Sequence, residues 1–107
     1  MKKENTVRST LDFNRILNNK NKKLNSKYFM IAFEESDKFQ IGITVPKKNG
    51  NAVYRNKNKR QLKNIVHSIN PYGINKKVIV IIKKDIDQLT FEQRKEQFKK
   101  QFSKLEK

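Results

Sequence analysis

The chain of 107 residues has no cysteine and no tryptophan, and only one histidine, two prolines and three glycines. Without thiols there are no disulfides, thiolate metal sites or cysteine nucleophiles, and one imidazole does not make a zinc cluster. Long apolar runs are missing as well. The longest, Val78 to Ile82, falls far short of the roughly 20 residues of a bilayer-spanning helix. Met1-Lys2-Lys3 leads into Glu4, Asn5 and Thr6 instead of the apolar stretch of a secretory signal. No lipid anchor or broadly apolar amphipathic helix is evident. We therefore expect a cytoplasmic protein with no membrane partner.

Acid is scarce relative to base. Ten Asp and Glu stand against 26 Lys and Arg, a formal charge of +16 with a pI near 10.2, and such a field draws polyanions. The length suits one domain, 1–107, with 1–9 as a loose arm. Apolar residues make up only 35% of the chain, yet seven Phe and clusters of Ile and Val suffice for a small core.

Periodicity orders the chain. Phe13, Ile16 and Leu17 share one face of a helix over about 10–18, with Ser9 as its cap. Asn18 to Ser26 is a basic, exposed connection. Strands follow over 28–34 and 39–45, where apolar residues alternate, and Glu34-Glu35-Ser36-Asp37 makes an antiparallel hairpin the expected connection. Leu62, Ile65, Val66 and Ile69 define a helix over about 53–69, ended by Asn70-Pro71-Tyr72-Gly73. Val78 to Ile82 is apolar on both faces, as an interior strand requires. Thr90 and Gln93 form a capping box for a last helix that turns Phe91, Phe98, Phe102 and Leu105 inward. The expected fold is α+β in the order α-β-β-(β)-α-β-α, the bracketed strand lying near Gly50, with a mixed sheet and helices packed on it.

Charge is unevenly placed along this plan. From Lys38 to Lys84 there is no Asp or Glu, while 12 Lys and Arg occur, seven of them between Lys47 and Lys63. On a helix turning about 100° per residue, Asn56, Lys59, Arg60, Lys63 and His67 occupy roughly 100° of arc, away from the apolar stripe. Arg forks onto phosphate oxygens, Lys supplies point charge, and Asn can donate to a phosphate or a base edge. A solvated helix face is the plainer alternative, weakened here by the absence of compensating acid. His67 reads as solvent-facing. Gly50 permits a positive φ, a close approach to phosphate or simply a turn, and the rest of a P-loop is missing.

Two carboxylate groups, Glu34, Glu35 and Asp37 in one turn and Asp85 with Asp87 after the interior strand, are candidates for a metal-dependent nuclease site. Turns and helix approaches favour acids in any case.

The run Lys47-Lys48-x-Gly50-Asn51-Ala52-Val53-x-Arg55-Asn56-x-x-Lys59-Arg60 resembles the signature of the bacterial ribonuclease P protein family. The resemblance extends to Asp12-Phe13, Phe29, Gly42, the strand at 78–82 and Leu89-Thr90. It implies a protein that joins a catalytic RNA subunit and assists endonucleolytic removal of the 5′ leader of precursor tRNA. The chemistry would belong to Mg²⁺ held mainly by that RNA, with no catalytic residue on the protein and no protein partner evident. By the same resemblance Lys47, Lys48, Asn51, Arg55, Asn56, Lys57, Lys59, Arg60 and Lys63 bind RNA, and Phe13, Leu17 and Phe29 line a leader cleft between the first helix and the sheet. Periodicity alone places those three in the core. The family also implies a left-handed βαβ crossover, against the general rule. Three positions depart from the family pattern: Lys57 replaces an Arg, Pro46 a small polar residue, and Ala32 a Tyr that would have contacted the leader. A structural ribosomal protein and a stand-alone metal nuclease using Asp85 and Asp87 are the competing readings.

Overall fold

The computed structural model describes residues 10–18, 23–69 and 73–106, so the expected arm at 1–9 and its Ser9 cap lie outside the described residues. Three helices, α1 (Thr10–Asn18), α2 (Ala52–Ile69) and α3 (Phe91–Phe102), accompany four strands, β1 (Lys23–Asn25), β2 (Phe29–Glu35), β3 (Gln40–Thr44) and β4 (Lys76–Ile82). The sheet order is β1-β2-β4-β3. β4 runs antiparallel to β2, pairing Ile31 with Val80, and parallel to β3, pairing Ile41 with Val78.

The expected hairpin of β2 with β3 is therefore not formed, because β4 lies between them. A strand apolar on both faces gains most from a central place, with a partner on each side. The four-residue link from Glu35 to Gln40 reaches about 17 Å when extended, ample for the roughly 9.6 Å across two strand spacings. The extra strand also differs in place. It is β1, within the segment read as an exposed connection, whereas the chain near Gly50 makes a 3₁₀ turn, Lys47–Asn49. β1 is held by pairing with β2 and by Gln101 of α3, whose side-chain amide donates to the carbonyls of Leu24 (2.8 Å) and Phe29 (3.2 Å) while its Oε1 accepts from the Ser26 hydroxyl. Long-range polar bonds of this kind leave no local sequence pattern.

Strand alternation divides the apolar residues between two layers. On one face Phe29, Ile31, Ile41, Val78, Val80 and Ile82 meet Leu62, Ile65 and Val66 of α2 and Phe98 and Phe102 of α3. The ring of Phe98 meets those of Phe29 and Phe102 edge-on, each at 5.3 Å. On the other face α1 presses Ile16 onto Ala32 and Ile79, with Leu17 partly buried beside them. The Thr90–Gln93 capping box forms as expected. Phe91 does not turn inward: it is 41% exposed, since at the first position of α3 it precedes the turn that meets the sheet.

Candidate nucleic-acid interface

The interface is built around the start of α2. Lys47 and Lys48 lie exposed on the 3₁₀ turn, whose buried Asn49 anchors it by donating to the Ile82 carbonyl at 3.3 Å. Asn51 then caps α2, its Oδ1 accepting from the Tyr54 amide at 2.9 Å. That occupies one oxygen of a residue expected to bind RNA. Gly50 has an extended backbone (φ 169°, ψ 178°), so positive φ does not explain it. Close approach does: a Cβ there would lie 2.5 Å from Tyr54 Cδ1 and 2.7 Å from Cγ. The neighbour that demands glycine is an aromatic ring of this chain.

Tyr54 in turn docks the site on the 3₁₀ segment after β4, Lys84–Gln88. Its hydroxyl donates to Asp87 Oδ1 at 2.9 Å, and Lys84 Nζ sits 4.5 Å above its ring, 3.0 Å from Asp87 Oδ2 and 2.9 Å from the Asn49 carbonyl oxygen. Burial, followed by the bond to Asp87, pushes the Tyr54 phenol above its ordinary 10.0. Partial burial of Asp87 opposes its ionisation, but hydrogen bonds from Lys84 and Tyr54 with the nearby positive charge outweigh it and hold the carboxyl below 3.8. The Lys84 ammonium is raised, mainly by its bond to Asp87.

Along α2 the structure separates the predicted RNA contacts. Asn56, Lys57, Arg60 and Lys63 are exposed, and Lys59 is half-buried. His67 is exposed, as expected. Arg55 falls on the inward side of the wheel, next to the Leu62–Val66 stripe; it is half-buried and its Nε is buried without a hydrogen-bond partner. Among the described residues, none of the seven bases between Lys47 and Lys63 pairs with a carboxylate. The helix is fixed from behind by Arg94 of α3, whose guanidinium donates to Asn58 Oδ1 (3.0 Å), Gln61 Oε1 (2.6 Å) and the Leu89 carbonyl. Asn58 is itself buried and donates to the Tyr54 carbonyl. Arg94 escaped the sequence reading because its partners are 33 and 36 residues away.

The expected leader cleft needs correction. Phe29 is only 1% exposed and packs on Phe98, on the sheet face away from α1. Its ring cannot stack a base there, and the periodicity reading as core is the one the structure supports. Ala32 is fully buried under Ile16, so the aromatic contact expected at that position is replaced by packing of α1. The Phe13 side chain lies outside the described residues, and Leu17 stays at the margin of the α1 layer. One residue pair beyond that layer, Ile81 is half-buried, on the same face as Ile79 and beside Met30 and Thr44 by register. Ile81 floors a cleft of about 370 Å³ edged by Pro46, Lys48, Asn49, Lys83, Lys84 and Asp85. Lys48 thus belongs to both the α2 surface and the cleft. Sequence reasoning missed Ile81, Lys83 and Lys84; the available signal was the Lys83-Lys84 pair closing an apolar strand.

Four of the five carboxylates considered for a metal site are engaged elsewhere, and Asp85 lines the cleft beside Lys83 and Lys84. Glu34 pairs with Arg15, Glu35 with Lys76 at 2.7 Å, and Asp87 with Lys84, while Asp37 Oδ1 accepts from Ser36. No three His, Asp or Glu among the described residues converge as ligands. This donor set does not fit a resident Mg²⁺.

A small mixed sheet backed by two helices on one face, with a basic helix whose cations lack carboxylate partners among the described residues, defines the class of small basic RNA-binding α+β proteins. The sequence profile of the Ribonuclease P family matches residues 1–106, and the chain belongs to that family. It is 40% identical over 91 residues to the ribonuclease P protein component of Mycoplasmopsis synoviae, covering 85% of this chain and 80% of that one. It is 36% identical over 100 residues to the component of Mycoplasma mobile, with coverage of 94% and 88%. Among solved structures, an RNase P protein mutant of Staphylococcus aureus with defective mRNA degradation activity superposes with a TM-score of 0.84 at 26% identity, covering 94% of this chain and 87% of that one. The RNase P protein of Thermotoga maritima gives 0.73 at 26%, with coverage of 85% and 88%.

Proposed function

We propose that this chain serves as one RNA-binding unit, the protein subunit of ribonuclease P, holding the catalytic RNA through the basic face of α2 and guiding the precursor tRNA leader through the cleft beside α1. The observation that carries the reading is the run of seven bases from Lys47 to Lys63 without a carboxylate partner among the described residues. Such a surface gains by releasing counterions from phosphate. Exposed Asn56, Lys57, Arg60 and Lys63, with Lys47 and Lys48 leading in, supply most of this contact; Lys59 and Arg55 contribute from the boundary.

Leader recognition falls to Ile81 on the cleft floor and Lys48 and Lys83 at its rim, with Leu17 at the margin of the neighbouring α1 layer and Phe13, by the family resemblance, as a further contact. Apolar contact with unstacked bases and charge along the backbone suit a single strand read without strict sequence preference. Mg²⁺ belongs with the RNA, and the site of action is the cytoplasm, where precursor tRNA is processed. The test is reconstitution with a ribonuclease P RNA, measuring affinity for precursor and mature tRNA. Ile81→Ser lowers affinity for leader-bearing tRNA and leaves mature tRNA unchanged. Equal loss for both ligands would remove the cleft from the reading, and a plot of log affinity against log salt without a steep negative slope would remove the phosphate surface.

A further inference from the structure

At the far edge of the sheet, β1 and α3 enclose a second groove of about 280 Å³, lined by Lys23, Asn25, Ser26, Gln97, Lys100 and Lys104 among others. Its composition is polar and basic. Lys100, in the last turn of α3, and Lys104, in the 3₁₀ turn Ser103–Glu106 that follows it, are both exposed, and Lys23 of β1 lines the groove with them. Among the described residues none of the three pairs with a carboxylate, and Glu96, one turn before Lys100, makes no ion pair with it. Buried Gln101, bonded to Leu24, Ser26 and Phe29, fixes the floor.

The groove adjoins the cleft floored by Ile81 through Lys83. Lys83, on the rim of that cleft, donates from its ammonium to the Ser26 carbonyl at 2.6 Å and to Asn25 Oδ1, and Asn25 and Ser26 line the second groove. A strand leaving the cleft over Lys83 enters the β1–α3 groove directly. β1 has β2 on one side only, so its outer main-chain groups add donors there.

Resting on the leader reading above, we propose that the β1–α3 groove binds the phosphates of the distal part of the precursor tRNA leader, the nucleotides upstream of those held in the cleft. The groove then makes affinity depend on leader length. Recognition is electrostatic, because the groove presents three cations and no aromatic ring.

The experiment compares the reconstituted complex carrying the wild-type protein with one carrying Lys100→Ala/Lys104→Ala. The ligands are mature tRNA, precursor tRNA whose short leader fills only the cleft, and precursor tRNA with a leader long enough to pass Lys83. The wild type is expected to bind the long leader more tightly than the short one, and the double variant to lose that gain. Two lost single-strand contacts make the salt slope for the long leader shallower by about 1.4, or roughly tenfold in affinity near 0.15 M salt. The short-leader and mature ligands keep their wild-type affinities, and an unchanged melt shows the fold intact. No length effect in the wild type overturns the proposal, as does a weakening in the variant that is equal for all three ligands, which would place the catalytic RNA in the groove. Failure of the cleft reading is distinct: wild type would then not separate the short-leader ligand from mature tRNA.

Discussion

Replacing Gly50 by alanine tests the placement of the RNA-binding segment. The added methyl would lie 2.5 Å from Tyr54 Cδ1 and 2.7 Å from Cγ, so the ring must move. Backbone strain adds nothing, because φ of 169° is extended. The ring is half-buried and can swing outward, so the cost belongs in the lower part of the overpacking range, about 1–2 kcal/mol. Part of it is the bond to Asp87 and the contact with Lys84, which a displaced ring gives up. For a domain of this size that is a fall of roughly 5–10 °C in melting temperature. The partner variant Tyr54→Ala removes the obstacle. On that background Gly50→Ala becomes neutral or stabilising by about 0.4–1 kcal/mol, as the unfolded chain loses freedom, and the coupling energy of the cycle carries the sign of relieved crowding. Thermal melts of the four proteins, with RNA-binding titrations alongside, decide it. If Gly50→Ala leaves the melt untouched, weakens RNA binding and is not rescued by Tyr54→Ala, the glycine serves the approach of a phosphate and this account of it is wrong.

Arg60→Ala removes an exposed cation from α2 and weakens RNA association by about 1–3 kcal/mol without shifting the melt; an unfolded Arg60 variant would show that its face had been misassigned. Leu62→Ala, at a site only 2% exposed, costs about 2–5 kcal/mol of stability, read in denaturant titrations of the free protein. Phe29→Leu lowers stability while leaving the ratio of precursor to mature tRNA affinity at its wild-type value, and a selective loss for leader-bearing tRNA would return the ring to the cleft. The Asp87 carboxyl, held below 3.8 in the fold, contributes stability that is present above about pH 4 and lost as pH falls through its folded value. Tyr54, raised above 10.0, contributes stability that is present below pH 10 and lost as pH rises through its folded value. Melts of Asp87→Asn against wild type across both limbs check this: the variant should lose the acid-side dependence due to this carboxyl.

The parts of the fold legible in the sequence are those specified by local periodicity. α1 matches its expected bounds, α2 begins one residue earlier than expected, and the capping box at Thr90 follows from the Thr and Gln three residues apart. What the pattern could not convey was pairing. Alternation in β2 and β3 states which side chains share a face but not which strand lies alongside, and only the two-sided apolarity of β4 hinted that it would separate them. β1 is invisible for a related reason: Lys23-Leu24-Asn25 has no strand pattern of its own and is held by Gln101 from the other end of the chain. At the interface, the free bases of α2 follow from the missing acids. Phe29 was misplaced because an aromatic in a motif can serve core or ligand equally, and the decision rests on which sheet face α1 covers. Arg55 was legible in principle, since its position on the wheel falls next to the apolar stripe.

The same missing acids set a physical constraint on α2. Its first turn carries no Asp or Glu, while Lys47, Lys48, Arg55 and Lys57 crowd the end where the helix dipole is already positive. These charges oppose the helix, and exposed ion pairs cannot relieve them without filling the binding surface. The stabilising interactions therefore lie on the opposite side, in Leu62, Ile65 and Val66 against the sheet, the Asn51 cap, and Arg94 bonded to Asn58 and Gln61. Phosphate at the start of α2 reverses the sign of the local balance: the dipole and the amide donors that repel lysine attract the oxyanion. Binding and stability are consequently one linked quantity, and RNA at a hundred times its dissociation constant adds about 2.7 kcal/mol to the fold. High salt must erode that gain along with the affinity. On the proposed reading, a basic surface that costs the free protein stability is thus stabilised by the RNA it would bind.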